Sequence, residues 1–222
     1  MPLPRRAKTI RRRSIISSVG RGLKKTMSVA GTALKAYKLA RAVASVINVE
    51  HKHVDYTAND VGLGTTGTVL TLTQIAQGDG ISNRSGNSVK LTGLNMQFSL
   101  QKDPNITDDF VRVMLLEDTQ QQADTAITAN DVLGAGFNHT SLLNLNTLGR
   151  FKVRWNKVFN LNDATRKSMM VKKYFKLNHH VRFNGSATSD IQRGGLYILY
   201  FDASASPTST ITYSVRVSFV DN

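Results

Sequence analysis

The chain has 222 residues, a size that suits one domain with an extension and is ample for burying a core. It contains no cysteine, which excludes disulfides, thiolate metal sites and thiol nucleophiles and agrees with folding in a reducing compartment. Its formal net charge of +14, from 29 Lys and Arg against 15 Asp and Glu, points to a polyanionic partner.

That charge is concentrated at the start. Residues 1–49 carry 12 basic side chains (Arg5, Arg6, Lys8, Arg11, Arg12, Arg13, Arg21, Lys24, Lys25, Lys35, Lys38 and Arg41) and no acid, the first carboxylate being Glu50. From Glu50 on, 17 basic residues face 15 acidic ones, so a basic arm is joined to a nearly neutral domain. Cations this dense without counter-charge suit phosphate neutralisation, and these twelve are the expected nucleic-acid contacts. The arm divides into a flexible basic tip, 1–21, and an amphipathic helix or linker, 22–48. At 100° per residue, Val29, Ala33, Ala36, Leu39, Ala40, Val43, Val46 and Ile47 share one face while Lys24, Lys35, Lys38 and Arg41 lie opposite.

Such a helix fits a membrane surface, an anionic polymer or the underside of its own domain. A mitochondrial transit peptide has a similar Arg-rich, acid-free composition, and the clusters in Pro4–Arg13 also have the form of a nuclear address. No apolar stretch approaches the roughly 20 residues that cross a bilayer, and no signal-peptide core is recognisable. A soluble protein without stable membrane insertion is expected.

From residue 49 to 222 the texture is all-β: short runs rich in Val, Ile, Thr, Phe and Tyr, separated by Gly, Asn, Asp and Ser clusters. Strands are predicted over His51–Thr57, Thr68–Ile75, Ser88–Leu100, Phe110–Glu117, Arg150–Leu161, Met169–Phe183 (long enough for two), Gly195–Phe201 and Thr210–Val220. In Met169–Phe183, Met169, Val171, Phe175, Leu177, Val181 and Phe183 share one parity; Lys172, Tyr174, Lys176, Asn178, His180 and Arg182 take the other. One face is therefore buried and the other wet and basic. Both parities of Leu196–Phe201 are apolar, which requires cover on both faces. The apolar parity between Val89 and Leu100 flips after Gly93, as a bulge there would produce. Trp155 sits on an apolar parity and is expected in the core. Eight antiparallel strands, longer loops and no Cys–Trp framework favour a jelly-roll sandwich over an immunoglobulin sandwich. The one long connection, Asp118–Gly149, has room for a short helix.

The loop Gln77–Gly86, reading QGDGISNRSG, and the strand entry Asn87–Leu94 resemble the segment joining early strands in coat proteins of satellite necrosis viruses and of circular Rep-encoding single-stranded DNA viruses. The resemblance spans the chain in plan: basic arm, Gly-Asp-Gly and Arg-x-Gly loop, jelly roll, no projecting domain. It implies a capsid protein in a sixty-subunit T=1 shell of identical copies with arms turned inward. The expected cargo is single-stranded nucleic acid, with the resemblance leaving RNA or DNA open and DNA expected first, and the expected location is the virion, with passage through the host nucleus if the genome is DNA. Physically, Gly78, Gly80 and Gly86 permit turns closed to other residues. Arg84 either pairs with a carboxylate, its own or a neighbour's, or staples its loop.

No catalytic residue, cofactor site or metal site is assigned. Gly62–Gly67 matches the dinucleotide fingerprint in letters, but a polar segment precedes it and a β-like run follows where a helix is needed. His51 and His53 share a strand face without a third ligand, and the adjacent His179 and His180 point to opposite faces. Asp103, Asp108 and Asp109 offer structural calcium between subunits, though an Asp-rich turn is the plainer reading. Asn83, Asn105, Asn138 and Asn184 start glycosylation-like triplets that read better as loop asparagines. With two glutamates, Glu50 and Glu117, no carboxylate pair stands out for acid–base work, and no enzyme is expected. Two other functions share parts of this plan. A ribosomal-type nucleic-acid-binding protein would need a second basic and aromatic surface, weakly offered by Lys172, Lys176 and Arg182. A jelly-roll lectin or cupin would have no use for the arm.

Overall fold

The computed structural model describes residues 35–39, 50–121, 126–205 and 208–221. Of the arm, only 35–39 falls among them, as an exposed helical turn. The flexible tip 1–21, the remainder of the helix expected over Ser28–Ile47, and Arg5, Arg6, Lys8, Arg11, Arg12, Arg13, Arg21, Lys24, Lys25 and Arg41 lie outside the described residues.

Residues 50–221 form two antiparallel sheets, with strands β1 (His51–Gly62), β2 (Thr68–Thr71), β3 (Ser88–Gln101), β4 (Asp108–Asp118), β5 (Phe151–Asn162), β6 (Ser168–Phe183), β7 (Ile191–Arg193), β8 (Gly195–Phe201) and β9 (Thr210–Asp221). One sheet runs β1-β9-β3-β6-β7 and the other β2-β8-β4-β5, so the chain repeatedly crosses between them in a jelly roll. Six of the eight predicted strands lie within about two residues of their expected ends, the exceptions being the first two. Of these, β1 extends to Gly62 through an irregularity between Ala58 and Val61, and β2 stops at Thr71. Its continuation is buried without being a strand: the Leu72 amide donates to the Leu196 carbonyl at 2.8 Å. The long run is one strand, β6, and the ninth strand, β7, is too short to show a period; Arg193 opposes Arg182, and Ile191 opposes Phe183.

Alternation places the core. Val89, Leu91, Leu94, Met96, Phe98 and Leu100 on β3 meet Val215, Val217 and Phe219 on β9 and residues of the facing sheet in one buried cluster. The pairing of β3 slips between Leu91 and Gly93 against both β6 and β9, the bulge that the parity flip requires. Trp155 packs edge-on to Phe98 and Phe175, with centroids at 6.3 Å and 6.4 Å.

All seven residues of β8 are buried. Leu196, Ile198 and Tyr200 enter the inter-sheet core, whereas Tyr197, Leu199 and Phe201 enter a second cluster roofed by the long connection. That roof includes helix α1 (Ala129–Leu133), whose Thr128 and Asp131 form a reciprocal capping box. Arg112 fastens it: the guanidinium donates to Asn156 Oδ1 at 3.0 Å and to the Ser141 carbonyl at 2.6 Å. The bidentate Arg150–Asp118 pair, at 3.0 and 2.7 Å, closes its exit.

Replacing fully buried Leu199 by Ala is expected to cost about 2–5 kcal/mol in denaturant unfolding, from lost apolar contact plus a cavity under the roof. Leu145→Ala, at a side chain 83% exposed on the same connection, is expected to change stability by less than about 0.5 kcal/mol.

Candidate functional site

Four regions carry the chemically distinctive side chains. The first is the loop 77–86. Its ends are held by backbone bonds from the Gly78 amide to the Arg84 carbonyl and from the Arg84 amide to the Ala76 carbonyl, each 2.9 Å. Asn83 folds back against two glycines: a Cβ on Gly78 would lie 2.8 Å from its Nδ2, and one on Gly80 2.9 Å from its Oδ1. Only Gly78 of the three loop glycines has positive φ, at 156°, so Gly80 is explained by close approach and not by turn geometry.

Arg84 is fully buried beneath this loop. It donates to the carbonyls of Ile75 at 3.1 Å, Gly86 at 2.7 Å and Gly185 at 2.6 Å, and to Asn87 Oδ1 at 3.2 Å. The guanidinium also lies 4.0 Å from the Phe183 ring centroid. Burial lowers its pKa, opposed by the charges of Asp190 and Asp221. Of the two expectations for Arg84, the geometry within the subunit is that of a staple joining 77–86 to the loop after β6. Its acceptors are carbonyls because five donors in a planar fork can saturate several chain segments at once.

Next to it, Asp221 accepts from the Ser85 amide at 2.5 Å and from Lys52 Nζ at 3.3 Å. Burial pushes the Asp221 pKa up, but the bonds from Ser85 and Lys52 prevail and it is lowered.

The second region is acidic. Asp103, Asp108 and Asp109 do not converge: Asp103 caps the Asn105 amide at 2.8 Å, Asp108 is exposed at the start of β4, and Asp109 is buried. Among the described residues no group of three or more His, Cys, Asp or Glu is placed to hold a metal ion. Asp109 instead neighbours Asp202, a pairing invisible in sequence. Ser209 bridges them, its hydroxyl donating to Asp109 Oδ2 and its amide to Asp202 Oδ2 at 3.2 Å. Burial, with the Asp109 charge second, pushes the Asp202 pKa up to about 7.

The third region is the end of β6. Glu117, Thr119, His179, His180, Arg182, Arg193 and Gly194 line a cleft of about 280 Å3. Glu117 is engaged by Arg154 Nε at 2.7 Å, and His179 Nε2 lies 3.3 Å from the Gly194 carbonyl, with its pKa lowered chiefly by burial.

The fourth is the outward face of the five-stranded sheet, where Lys172, Tyr174, Lys176 and Arg182 are exposed as their parity predicts. The expectation of a wet, basic face on this strand is met.

Other sequence signals resolve locally. Gly62–Gly67 ends β1 and leads into β2, with no helix to receive a pyrophosphate. His51 and His53 lie on β1 opposite Val220 and Ser218. Asn138 Oδ1 accepts from the Thr140 amide at 2.9 Å, a turn-forming role like that of Asp103, to which Asn105 donates from its amide at 2.8 Å and its side chain at 3.0 Å. Lys35 and Lys38 are exposed on their helical turn. Among the described residues no helix is long and apolar enough to cross a membrane.

Arg84→Lys should destabilise the domain by at least about 2 kcal/mol in denaturant unfolding, because one ammonium cannot replace the fork and buried carbonyls are left unpaired. For Asp202, a folded pKa near 7 against an unfolded value near 3.8 means that folding takes up a proton between them. Its contribution is therefore full below about pH 4 and is lost as pH rises through about 7. Asp202→Asn should lose less thermal stability than the parent between pH 5 and pH 8; equal losses would remove Asp202 as the cause.

The sequence model of the satellite tobacco necrosis virus coat protein family matches residues 27–222. No match was found among curated proteins. Similar solved structures include one of Desmodium yellow mottle tymovirus, at 10% identity over 78% of this chain and 87% of that chain with a TM-score of 0.39. Others are an empty virus-like particle of Cowpea mosaic virus (10%, 78% and 83%, 0.37) and the 60-mer capsid protein of BFDV (10%, 77% and 88%, 0.28). The family match begins within the basic arm and takes in every strand of both sheets, so the chain belongs to the satellite tobacco necrosis virus coat protein family.

Proposed function

We propose that this chain is a structural coat protein that closes a small icosahedral shell of sixty identical subunits and packages single-stranded nucleic acid through its N-terminal arm. The observation that carries the packaging role is the charge partition: 12 basic residues and no acid before Glu50, against 17 basic and 15 acidic residues after it. In a family of coat proteins, such an arm is a phosphate-neutralising element attached to a shell domain. The working division is 1–21 for the basic tip, 22–48 for the amphipathic linker and 49–222 for the shell. The twelve arm cations are the nucleic-acid contacts, the mature protein resides in the virion, and a DNA genome would route it through the host nucleus by the Pro4–Arg13 cluster.

Charge counting sets the scale of the cargo. Twelve arm charges in sixty copies amount to about 720, enough for roughly 700 nucleotides at one negative charge each. Condensed counterions and the basic face of β6 extend this to about one to two thousand nucleotides, far short of ten thousand. The resemblance of the 77–86 loop and strand entry leaves the choice between RNA and DNA open, and DNA is proposed first.

Deletion of Met1–Lys25 tests the reading. Sedimentation and absorbance should show a folded shell domain, assembled or not, with little nucleic acid; full packaging by the truncated chain would overturn the role of the arm. Parent particles opened in molar salt should shed their cargo, since each phosphate contact releases counterions.

A further inference from the structure

The two sheets differ in what lies on their outer sides. The outward face of the four-stranded sheet is roofed by the long connection, and Tyr197, Leu199 and Phe201 are buried beneath it. The outward face of the five-stranded sheet has no such roof among the described residues. Its exposed side chains there are polar or charged, with Met170 near the start of β6 and, at one position, an aromatic ring.

Tyr174 is that position. Its side chain is 69% exposed in the middle of β6, opposite Asn95 of β3, with Lys172 and Lys176 two residues away on the same parity. The ring is held in place. A Cβ added to Gly93, whose parity also points outward, would lie 2.7 Å from Tyr174 Oη and 3.1 Å from a ring carbon, so the ring lies across the bare glycine. Gly93 is buried under it, and Gly93 sits at the bulge of β3. The result is a ring supported from below by sheet backbone and exposed above.

Charge on this face is one-sided. Lys172, Lys176, Arg182 and Arg193 have no carboxylate partner among the described residues, whereas the cation farther across the sheet, Arg216, is neutralised by Asp55 at 2.6 and 2.7 Å. Lys172 to Arg182 spans about 34 Å along β6, and Arg193 lies beside Arg182 at the far end, where both line the cleft. A rigid exposed aromatic within a row of unpaired cations matches single-stranded nucleic acid: phosphates for the cations and a base face for the ring. A protein partner would be expected to want apolar contact, which this face offers only at Tyr174 and Met170.

We infer that the outward face of β6 is a second nucleic-acid site, in which Tyr174 stacks an unpaired base and Lys172, Lys176 and the Arg182–Arg193 pair follow its backbone. This rests on the packaging reading and adds to the arm a fixed contact on the shell domain. Stacking needs only the face of the ring, so the site takes DNA and RNA alike.

The test uses the full-length chain with oligodeoxythymidine and oligouridine of about ten nucleotides, some carrying 5-iodouracil. Irradiation followed by peptide mapping should place an adduct on Tyr174 in addition to any in the arm. Tyr174→Phe should bind as the parent does, whereas Tyr174→Leu, which still covers Gly93, should weaken binding about tenfold. The double variant Lys172→Gln/Lys176→Gln should lower the slope of log affinity against log salt by about 1.4. Adducts confined to the arm, with Tyr174→Leu binding as tightly as the parent, would overturn the second site and leave the arm's role standing. Absence of adducts in both regions, with affinity indifferent to salt, would overturn the packaging reading as well.

Discussion

A seven-residue strand without a polar face has to be covered twice, and Gly195–Phe201 is such a strand. Its parity set Leu196, Ile198 and Tyr200 requires an opposing sheet, and the set Tyr197, Leu199 and Phe201 requires something on the other side. The chain supplies the second cover from the connection between β4 and β5, using Ile127, Ala129, Val132, Leu133 and Phe137. Burying each large apolar side chain contributes roughly 1.5–3 kcal/mol, so the long excursion is held by its own apolar contacts as well as by polar anchors. The four-stranded sheet thus gains a third layer. Among the described residues the outer side of the five-stranded sheet, where the cations of β6 lie, has no such roof.

Buried cations do much of the joining between loops. Arg84, Arg112 and Lys102 are each almost fully buried, and each donates to main-chain carbonyls: Arg84 to Ile75, Gly86 and Gly185, Arg112 to Ser141, Lys102 to Asp103 and Ile106. Loop carbonyls beneath the surface have no ladder partner and would be costly if left dry. A long cationic side chain satisfies several of them while its stem packs against apolar neighbours. The desolvation cost of the charge is spread over many acceptors, and for Lys52 and Lys102 it is further offset by carboxylates, at 3.3 Å from Asp221 and 3.1 Å from Asp163. Loops at opposite ends of the sequence are thereby fixed to one another, as where Arg84 reaches Gly185 and Ser85 reaches Asp221.

What the sequence displays depends on the range over which the cause acts. Alternation is local, so the buried and wet faces of β6, the double burial of β8 and the bulge before Gly93 can all be read from neighbouring residues. Strand β7 is three residues long and owes its existence to its register against Arg182 and Phe183, which no window over Ile191–Arg193 contains. The Asp109–Asp202 pair is created by the proximity of the start of β4 to the end of β8, and the acidic cluster suggested by adjacent letters disperses because Asp109 points inward while Asp108 does not. Arg84 shows both limits. Its place among loop glycines leaves pairing with a carboxylate and stapling the loop equally open, and only the fold brings Gly185 and Phe183 within its reach.

On the proposed reading, the arm and the β6 face divide the work of binding by the kind of order each interaction needs. Phosphate neutralisation is non-directional and adds up with the number of charges, so it can be carried by a segment whose only requirement is a high density of Lys and Arg. Twelve cations without an acid satisfy that in the arm. Stacking is directional: a base must find a flat surface already fixed in place, because ordering a free aromatic side chain would consume much of the contact energy. A sheet is suited to that task, and Gly93 under the Tyr174 ring removes the side chain that would tilt it away. Salt should therefore act most strongly on the arm and less on the ring, so the two contributions are separable by ionic strength within one intact chain.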